Sequence, residues 1–397
     1  MYQIVEGKDE DRDDFVKLAW KSFEPTANLS ELKKEHWVNY WNQPEKEDWA
    51  YVAKYNGQLV ANLSFFKHTF NKIRGNTIPF AAIWAVATEP AHRRRGLVRK
   101  LFQKTFPIMR EKGMSLSVLD PFSTPFYEKF GYARAEQRAL HEFDARFLRI
   151  AEPTSEIIAV ETDDTSTWRE MHKLEESMTR FGSRAYHTKR TLDYIIKQNH
   201  FYYFKKDGEI IGSLLLYYKK DNDALVLTAS NTFYKNAEAL AAIVSLVYHH
   251  AANADKVLWY TDIETPLDYF FKEARTKSKM IGSMMMRILD VLPYLELVDI
   301  PVEADRSVTI ELVDEFCQWN SGIYQLKPQD GKINAEVTAH PSDNHIKIDA
   351  LNLSRVISGL TTATHLRGFG LIDCSLEVAR RLEAMFPANS FYTYQRF

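Results

Sequence analysis

The sequence predicts an α+β fold built from three successive domains, at residues 1–150, 151–290 and 291–397. Strand-like and helix-like segments alternate through the first two domains, and their order in the second repeats the order in the first. The third domain changes character, with short strand-like segments followed by amphipathic helices. A chain of 397 residues is long enough to bury several cores of ordinary size.

The first domain is predicted from helical periodicity at 16–23 and 32–41, followed by a β-hairpin. The hairpin strands, 51–54 and 59–66, are joined through Asn56-Gly57, which is a strong hairpin signal. The remaining elements are a strand at 80–88, a helix at 94–112, a strand at 115–119, a short helix around Tyr127 and a strand at 140–143. We expect the last of these strands to complete the first domain.

The second domain is predicted to be a weak internal duplication of the first. Its elements are a hairpin through Asp207-Gly208 with strands at 202–205 and 210–218, a strand at 224–230, a helix at 237–252, a strand at 257–260 and a helix at 266–271. The run 231–235 stands where the first domain has a basic, glycine-containing turn, so this copy lacks phosphate-binding chemistry. An unrelated α/β domain is the alternative.

The third domain is predicted to combine a small sheet with helices. Strands are expected at 308–313, 322–327, 334–338 and 345–348, and helices at 351–360 and 376–385. Such a domain serves either for packing and oligomerisation or for lipid binding. Because its sequence contains no apolar run that demands a lipid tunnel, we favour the packing role.

Composition and charge exclude several classes of protein. Fifty-one Lys and Arg residues against 53 Asp and Glu residues give a net charge of −2, which argues against a nucleic-acid partner. The only cysteines are Cys317 and Cys374, without a CxxC motif or a His cluster at metal spacing, so no disulfide framework and no metal are expected. The sequence has no signal-peptide pattern and no apolar stretch of membrane-spanning length, so we expect a cytoplasmic protein without a membrane partner.

The most informative motif lies at residues 83–100. An apolar strand-like stretch ends at Pro90, a basic turn contains Arg93, Arg94, Arg95 and Gly96, and an amphipathic helix follows. This order points the free N–H groups of a helix N-terminus at an anion in the turn, and a diphosphate suits the position. A basic, solvated helix start is the alternative interpretation.

This turn resembles the acyl-CoA signature of the GCN5-related N-acetyltransferases (GNAT), Gln/Arg-x-x-Gly-x-Gly/Ala. Arg93 to Leu97 fit the pattern, whereas Val98 replaces the final small residue. The segment 125–132, Pro-Phe-Tyr-Glu-Lys-Phe-Gly-Tyr, is common in the same superfamily, and the third domain looks like a sterol-carrier-type domain. The whole chain therefore resembles an enhanced-intracellular-survival (Eis) type N-acetyltransferase, which implies two tandem GNAT-like domains, the second degenerate, and a sterol-carrier-protein-like α+β domain.

The resemblance implies acetyl-CoA as cosubstrate and an amine that attacks the thioester directly within a ternary complex. The backbone N–H of Val86 would stabilise the oxyanion, and Val86 and Thr88 would hold the pantetheine arm by backbone hydrogen bonds. The arginines would neutralise phosphates, while N–H groups of the turn and the helix start would bind the pyrophosphate. The implied cofactor-binding residues are Val86, Ala87, Thr88, Arg93, Arg94, Arg95, Gly96, Leu97 and Val98.

Two residues are expected to move protons. Tyr127 is the candidate general acid for the departing thiolate, because a phenol can donate to a thiolate of pKa near 8.5. A core aromatic is the alternative, since Phe126 and Phe130 flank it at helical spacing. The family places the terminal carboxylate in the cleft as general base, which would be that of Phe397, with Val86 completing the catalytic set.

The resemblance implies a small amine substrate, with aminoglycosides acetylated at more than one position. Trp37 and Trp84 are candidates for stacking or cation–π contacts with it, and Glu24 for ion pairing. The family also implies a homo-oligomer, a hexamer. A protein lysine or N-terminal acetyltransferase and a non-enzymatic CoA- or lipid-binding protein are the alternatives.

Overall fold

The structure is a computed structural model that describes residues 1–23, 48–66, 69–150, 156–162, 164–179, 182–185, 199–273, 276–389 and 391–393. The predicted helix at 32–41 lies outside these residues. The described chain divides into two compact units, one formed by 1–135 with 284–389 and the other by 136–283 with 391–393. No helix in the described ranges is long and apolar enough to cross a membrane.

The strands follow one another along the chain as β1 (Tyr2–Glu6), β2 (Asp48–Tyr55), β3 (Gln58–Phe66), β4 (Thr69–Ile73), β5 (Asn76–Thr77), β6 (Phe80–Thr88), β7 (Leu116–Leu119), β8 (Ala133–Arg134), β9 (Arg138–Phe143), β10 (Ile158–Glu161), β11 (Gly182–Ala185), β12 (His200–Lys206), β13 (Glu209–Asp221), β14 (Ala224–Tyr234), β15 (Lys256–Thr261), β16 (Lys277–Ile281), β17 (Met285–Ile288), β18 (Val308–Val313), β19 (Gly322–Gln329), β20 (Lys332–Thr338), β21 (His345–Asp349) and β22 (Tyr392–Thr393). The α-helices are α1 (Arg12–Phe23), α2 (Leu97–Glu111), α3 (Thr124–Glu128), α4 (Thr165–Met178), α5 (Ala237–His250), α6 (Val291–Leu297), α7 (Ala350–Ser358), α8 (Ala363–Gly368) and α9 (Leu376–Met385).

The first unit contains a sheet of order β1-β2-β3-β6-β7-β17-β8. The predicted hairpin of β2 and β3 is present, and its turn has left-handed backbone at Asn56 (φ 51°) and Gly57 (φ 82°), as a type I′ turn requires. Helix α2 buries an apolar stripe that includes Leu101 and Phe102 against one face of this sheet. Helix α1 packs against the other face, where Phe15 meets the end of β6.

The second unit contains a sheet of order β10-β12-β13-β14-β15-β9-β16. Strand β9 lies between β15 and β16, so the prediction that the strand at 140–143 completes the first domain is wrong. Its place in the first sheet is taken by β17, which pairs with both β7 and β8. Alternating burial identifies a strand but does not say which sheet it joins, and two sheets of the same design can exchange such strands.

This exchange means that the compact units differ from the predicted division at residues 150 and 290. Residues 136–143 lie in the second unit, although they fall within the predicted first domain. Conversely, β17 lies in the first unit, although the prediction assigned it to the second domain. The second unit also contains a parallel pairing of β11 with β22, which holds the last described residues in place.

The C-terminal part of the first unit has its own sheet, of order β20-β19-β18-β21, as the predicted third domain requires. Helices α7, α8 and α9 each begin at a residue whose side chain accepts a backbone N–H of the first turn, namely Asp349, Thr362 and Ser375. These caps explain the sharp helix starts that follow the polar turns of the sequence.

A buried ion pair joins this C-terminal part to the first sheet. Arg287 on β17 and Asp314 after β18 are almost fully buried, and an Arg287 guanidinium nitrogen lies 2.6 Å from Asp314 Oδ2. Arg287 also donates to the Phe130 carbonyl, and Asp314 accepts the backbone N–H of Cys317 at 2.9 Å. Both charges are therefore balanced by several partners, so the loss of one partner leaves the other charge buried and unpaired.

Arg287→Met is expected to destabilise the first unit by about 3–5 kcal/mol, because Asp314 would remain as an unpaired buried charge. Urea denaturation followed by tryptophan fluorescence measures the change. The control is Lys327→Met, which breaks an exposed pair with Glu336 at 2.7 Å and should change stability by less than about 1 kcal/mol. A loss below 1 kcal/mol for Arg287→Met would contradict this account of the ion pair.

Candidate active site

The central strands of the first sheet separate at one end. The parallel pairing of β6 with β7 runs from Phe80 opposite Leu116 to Ile83 opposite Leu119, where β7 ends. Strand β6 continues to Thr88 without a register partner on β7 in the described chain. A gap therefore opens beside residues 84–88, next to backbone N–H and C=O groups that a bound molecule can use.

A β-bulge lies on β6 at this gap. Ala85 and Val86 together face Leu63, because Ser64 pairs with Trp84 and Asn62 pairs with Ala87. Ala85 has left-handed backbone, with φ of 51°, which costs a residue with a Cβ about 1–2 kcal/mol. Such strain persists only where the surroundings fix it, and it concentrates at functional sites.

The basic turn forms a concave stretch of backbone. Left-handed conformations at Arg94 (φ 60°) and Gly96 (φ 71°) precede α2, so the helix begins at Leu97, three residues later than predicted. Gly96 is the N-cap and supplies no side-chain cap, so the first N–H groups of α2 are left for another acceptor. Arg93, Arg94 and Arg95 are exposed, with Arg93 Nε donating to the Thr88 carbonyl at 3.2 Å.

Tyr127 lies on α3 in the apolar cluster next to the gap. Its ring packs edge-on against Phe102, and the side chains of Val86 and Val98 pack against the same cluster. The side chain is almost fully buried, and its hydroxyl has no hydrogen-bond partner within the described residues. Burial, with a smaller contribution from the charge of Asp120, raises the pKa of Tyr127 well above the ordinary phenol value.

Trp84 is the one predicted substrate residue that the structure describes, and it packs in a different cluster from Tyr127. Trp84 packs against Phe15 on the α1 side of the sheet, with ring centroids 5.9 Å apart. Glu24, Trp37 and Phe397 lie outside the described residues. Among the described residues, no group of His, Cys, Asp and Glu side chains is arranged to hold a metal ion.

The second unit repeats the geometry of the first in detail. Its β14–β15 pairing ends with Ala229 opposite Trp259, and Asn231 and Thr232 form a bulge opposite Leu214, with φ of 49° at Asn231. After the bulge, Lys235 N donates to the Ile211 carbonyl at 2.8 Å. In the first unit, Glu89 N donates to the Val60 carbonyl at the same distance. The internal duplication thus extends to the backbone of the site.

The second copy differs from the first beside the bulge, at the helix start and at the position of Tyr127. Trp259 is fully buried and donates to Thr232 Oγ1 at 2.8 Å, so its indole occupies the place beside the bulge. Helix α5 starts directly after Asn236, which caps it through the N–H of Ala239 at 2.9 Å. Leu267 follows Trp259, the last residue of β15 paired with β14, by eight residues, just as Tyr127 follows Leu119 in the first copy. A leucine therefore stands where the first copy has Tyr127.

The register also corrects the expected correspondence of the two copies. The run 231–235 matches 85–89 at the end of the strand and does not replace the basic turn. The turn 90–96 has no counterpart, since only Asn236 separates Lys235 from α5. Asn62, whose Nδ2 donates to the Ala85 carbonyl, is not among the predicted site residues, although a polar residue within the apolar run of β3 was an available signal.

Models of known protein families match two segments of the chain, one at each end. Residues 3–135 match the family model described as an acetyltransferase (GNAT) domain, and residues 287–394 match that of a sterol carrier protein domain. The N-terminal part of the chain is a GNAT acetyltransferase domain. The GNAT match ends at residue 135, as does the first segment of the first unit, and β9 begins three residues later. The protein therefore carries an acyltransferase domain of a superfamily that uses acetyl-CoA.

Similar proteins share the architecture of the whole chain. An uncharacterized N-acetyltransferase of Streptomyces avermitilis is 23% identical over 345 residues, covering 79% of this chain and 78% of the relative. The structure of a GCN5-related N-acetyltransferase from Anabaena variabilis superimposes with a TM-score of 0.85 at 16% identity, covering 100% of both chains. That of Eis1 from Mycobacterium abscessus gives 0.77 at 17% identity, covering 98% of both.

These identities establish a common fold and nothing finer. Other Streptomyces N-acetyltransferases match at 28–29% identity, but the matched segment spans only about a fifth of their length, 19% and 21%. The relatives therefore do not identify the substrate of this protein.

Gly96→Val is expected to weaken CoA binding about tenfold or more. A β-branched residue at φ of 71° is strained by about 1–2 kcal/mol, and relief of that strain would displace the N–H groups of the turn. Isothermal titration calorimetry with CoA measures the effect. The matched control is Gly370→Val, at φ of 69° in the C-terminal part, where a Cβ also meets open space. Equal affinities of the Gly96→Val variant and the wild type would contradict the assignment.

Proposed function

We propose that this protein is an acetyl-CoA-dependent N-acetyltransferase that acetylates amines of a small polyamine-like substrate, with aminoglycosides modified at more than one position. The observation that carries the proposal is the difference between the two copies of the GNAT fold. The first leaves the strand gap, the helix N-terminus and a tyrosine hydroxyl available. The second has the Trp259 indole beside the bulge, an Asn236 cap on α5 and Leu267 in place of the tyrosine.

The basic turn would bind the diphosphate of acetyl-CoA. The N–H groups of Arg95, Gly96, Leu97 and Val98 carry the positive end of the α2 dipole, and the exposed Arg93 and Arg94 lie beside them. Val98 is larger than the small residue of the usual signature, but its half-buried side chain packs against the core cluster. It therefore leaves the backbone of the turn accessible.

The strand beyond the bulge would hold the acyl arm. Backbone groups of Val86, Ala87 and Thr88 border the gap, which suits an extended pantetheine chain that pairs like an added strand. The N–H of Val86 would donate to the thioester oxygen as negative charge develops on it. A single donor of this kind lowers the barrier by about 3 kcal/mol.

The acetyl group would pass directly to the amine. The amine nitrogen bonds to the thioester carbon, the C–S bond breaks, and the sulfur leaves with the electron pair and takes a proton. Tyr127 would supply that proton, since its raised pKa keeps the hydroxyl protonated throughout the working pH range. The same raised pKa makes full transfer uphill, so a hydrogen bond to the sulfur during C–S cleavage is the main contribution.

The attacking amine must also lose a proton. The terminal carboxylate of Phe397 is the proposed acceptor, and Glu24, Trp37 and Trp84 are the proposed contacts of the substrate. The role of Phe397 rests on the Eis-type resemblance, and those of the other three on the stacking and ion-pairing chemistry of their side chains. Glu24, Trp37 and Phe397 lie outside the described residues. A homo-hexamer is also proposed from the Eis-type resemblance.

The direct test is CoA release in the presence of acetyl-CoA and an aminoglycoside with several amines, followed by mass spectrometry of the product. Two or more added acetyl groups per molecule are expected. Parallel reactions with lysine peptides, peptides with free N-termini and linear polyamines distinguish the acceptor classes. Turnover of peptides alone would favour the protein acetyltransferase, and acetyl-CoA binding without any turnover would favour the non-enzymatic alternative.

Tyr127→Phe is expected to lower kcat about 10²–10⁴-fold while the Kd for CoA stays within a factor of two, because only a proton donor is removed. The control is Tyr132→Phe. Tyr132 lies in the same cluster, and its hydroxyl is committed to Ser117 at 2.6 Å, so its loss should leave kcat near the wild-type value. Equal kcat values for the wild type and Tyr127→Phe would show that Tyr127 is a core aromatic only.

A further inference from the structure

The strained bulge on β6 depends on one side chain of the neighbouring strand. Asn62 on β3 is fully buried, and its Nδ2 donates to the carbonyl of Ala85. A carbonyl only accepts hydrogen bonds, so the amide must present its NH2 group at this point. The contact therefore fixes the direction of one peptide group, the one between Ala85 and Val86.

Fixing this carbonyl also fixes an N–H group. The peptide is trans, so its C=O and N–H point in opposite directions. Strand β6 lies between β3 and β7, and the Ala85 carbonyl is held by β3. The Val86 N–H consequently points away from β3, to the side where β7 has already ended at Leu119.

We infer that Asn62 is a positioning residue for acetyl transfer: it holds the Ala85–Val86 peptide so that the Val86 N–H faces the thioester carbonyl of acetyl-CoA. The inference rests on the proposed function, since it assigns that N–H to the reacting group. Asn62 acts through the peptide and does not itself contact the substrate.

The second copy shows how the same backbone is supported without such a residue. Its bulge places Asn231 in the left-handed region, which asparagine tolerates better than alanine. Ser213 stands at the register position of Asn62, and its hydroxyl donates to Glu175 Oε1 at 2.9 Å. Of the two copies, only the first has an alanine, Ala85, in the bulge together with an amide side chain, that of Asn62, which orients the peptide.

The test uses Asn62→Ser, which copies the residue of the second unit, and Asn62→Asp, which keeps the shape but replaces the NH2 donor with an oxygen. The control is Ser64→Ala. Ser64 is equally buried on the same face of β3, and its hydroxyl has no hydrogen-bond partner in the described chain. The midpoint of urea denaturation is measured for each variant, and only variants that remain folded are compared.

Three readouts separate positioning from folding. The first is the infrared carbonyl stretch of bound, ¹³C-labelled acetyl-CoA, which a hydrogen bond from Val86 N–H lowers relative to free acetyl-CoA. The second is hydrogen–deuterium exchange of the segment 80–88 without ligand. The third is kcat with an amine that the wild type acetylates, together with the Kd for CoA.

In both Asn62 variants, the infrared carbonyl stretching frequency of bound acetyl-CoA is expected to return toward that of free acetyl-CoA. Hydrogen–deuterium exchange of the segment 80–88 is expected to become faster. Both variants should lower kcat by about tenfold or more, and at most by the roughly 10²–10³-fold that complete loss of an oxyanion donor costs. The Kd for CoA should be unchanged. Folded variants that keep the wild-type stretch would overturn the inference and leave the proposed function standing. A wild-type chain that binds no acetyl-CoA would overturn both.

Discussion

The candidate active site depends on the separation of two parallel strands beyond Ile83 and Leu119. A parallel sheet normally satisfies the backbone of its central strands on both sides, so a central strand that outruns its neighbour exposes polar groups at a defined place. Here the bulge at Ala85 turns one of these groups toward the gap, and the uncapped start of α2 lies where β6 leads into the helix. The acyl arm and the diphosphate of acetyl-CoA would thus be held by one continuous stretch of backbone, from the bulge on β6 to the start of α2.

The duplicated unit acts as an internal comparison for this account. Strand separation and a bulge are present in both copies, so they belong to the scaffold and do not by themselves make a site. What differs between the copies lies around that scaffold: in the second, the Trp259 indole donates to the Thr232 side chain beside the bulge, and Asn236 caps the helix start that the first leaves uncapped. Because β9 joins the second sheet and β17 the first, the strands of the first sheet come from two stretches of the chain, one before and one after the strands of the second sheet. The buried Arg287–Asp314 pair links the C-terminal part to the first sheet within the first unit.

Much of this fold could be predicted because its signals are local. Asn56-Gly57 and Asp207-Gly208 specify tight turns, and the amphipathic run after Gly96 specifies α2. The exchange of β9 and β17 could not be predicted, since both strands have ordinary patterns and partner choice is a long-range property. Asn62 was missed for a related reason: its role arises from a bulge on another strand, which no spacing within β3 encodes.

The most direct measurement of the central claim is the stoichiometry of CoA binding to the whole chain, determined by isothermal titration calorimetry. If the first copy alone keeps an open gap and a free helix N-terminus, one CoA should bind per chain. Two CoA molecules per chain would show that Trp259 and Asn236 do not close the second copy. No binding at all would contradict the assignment of the first.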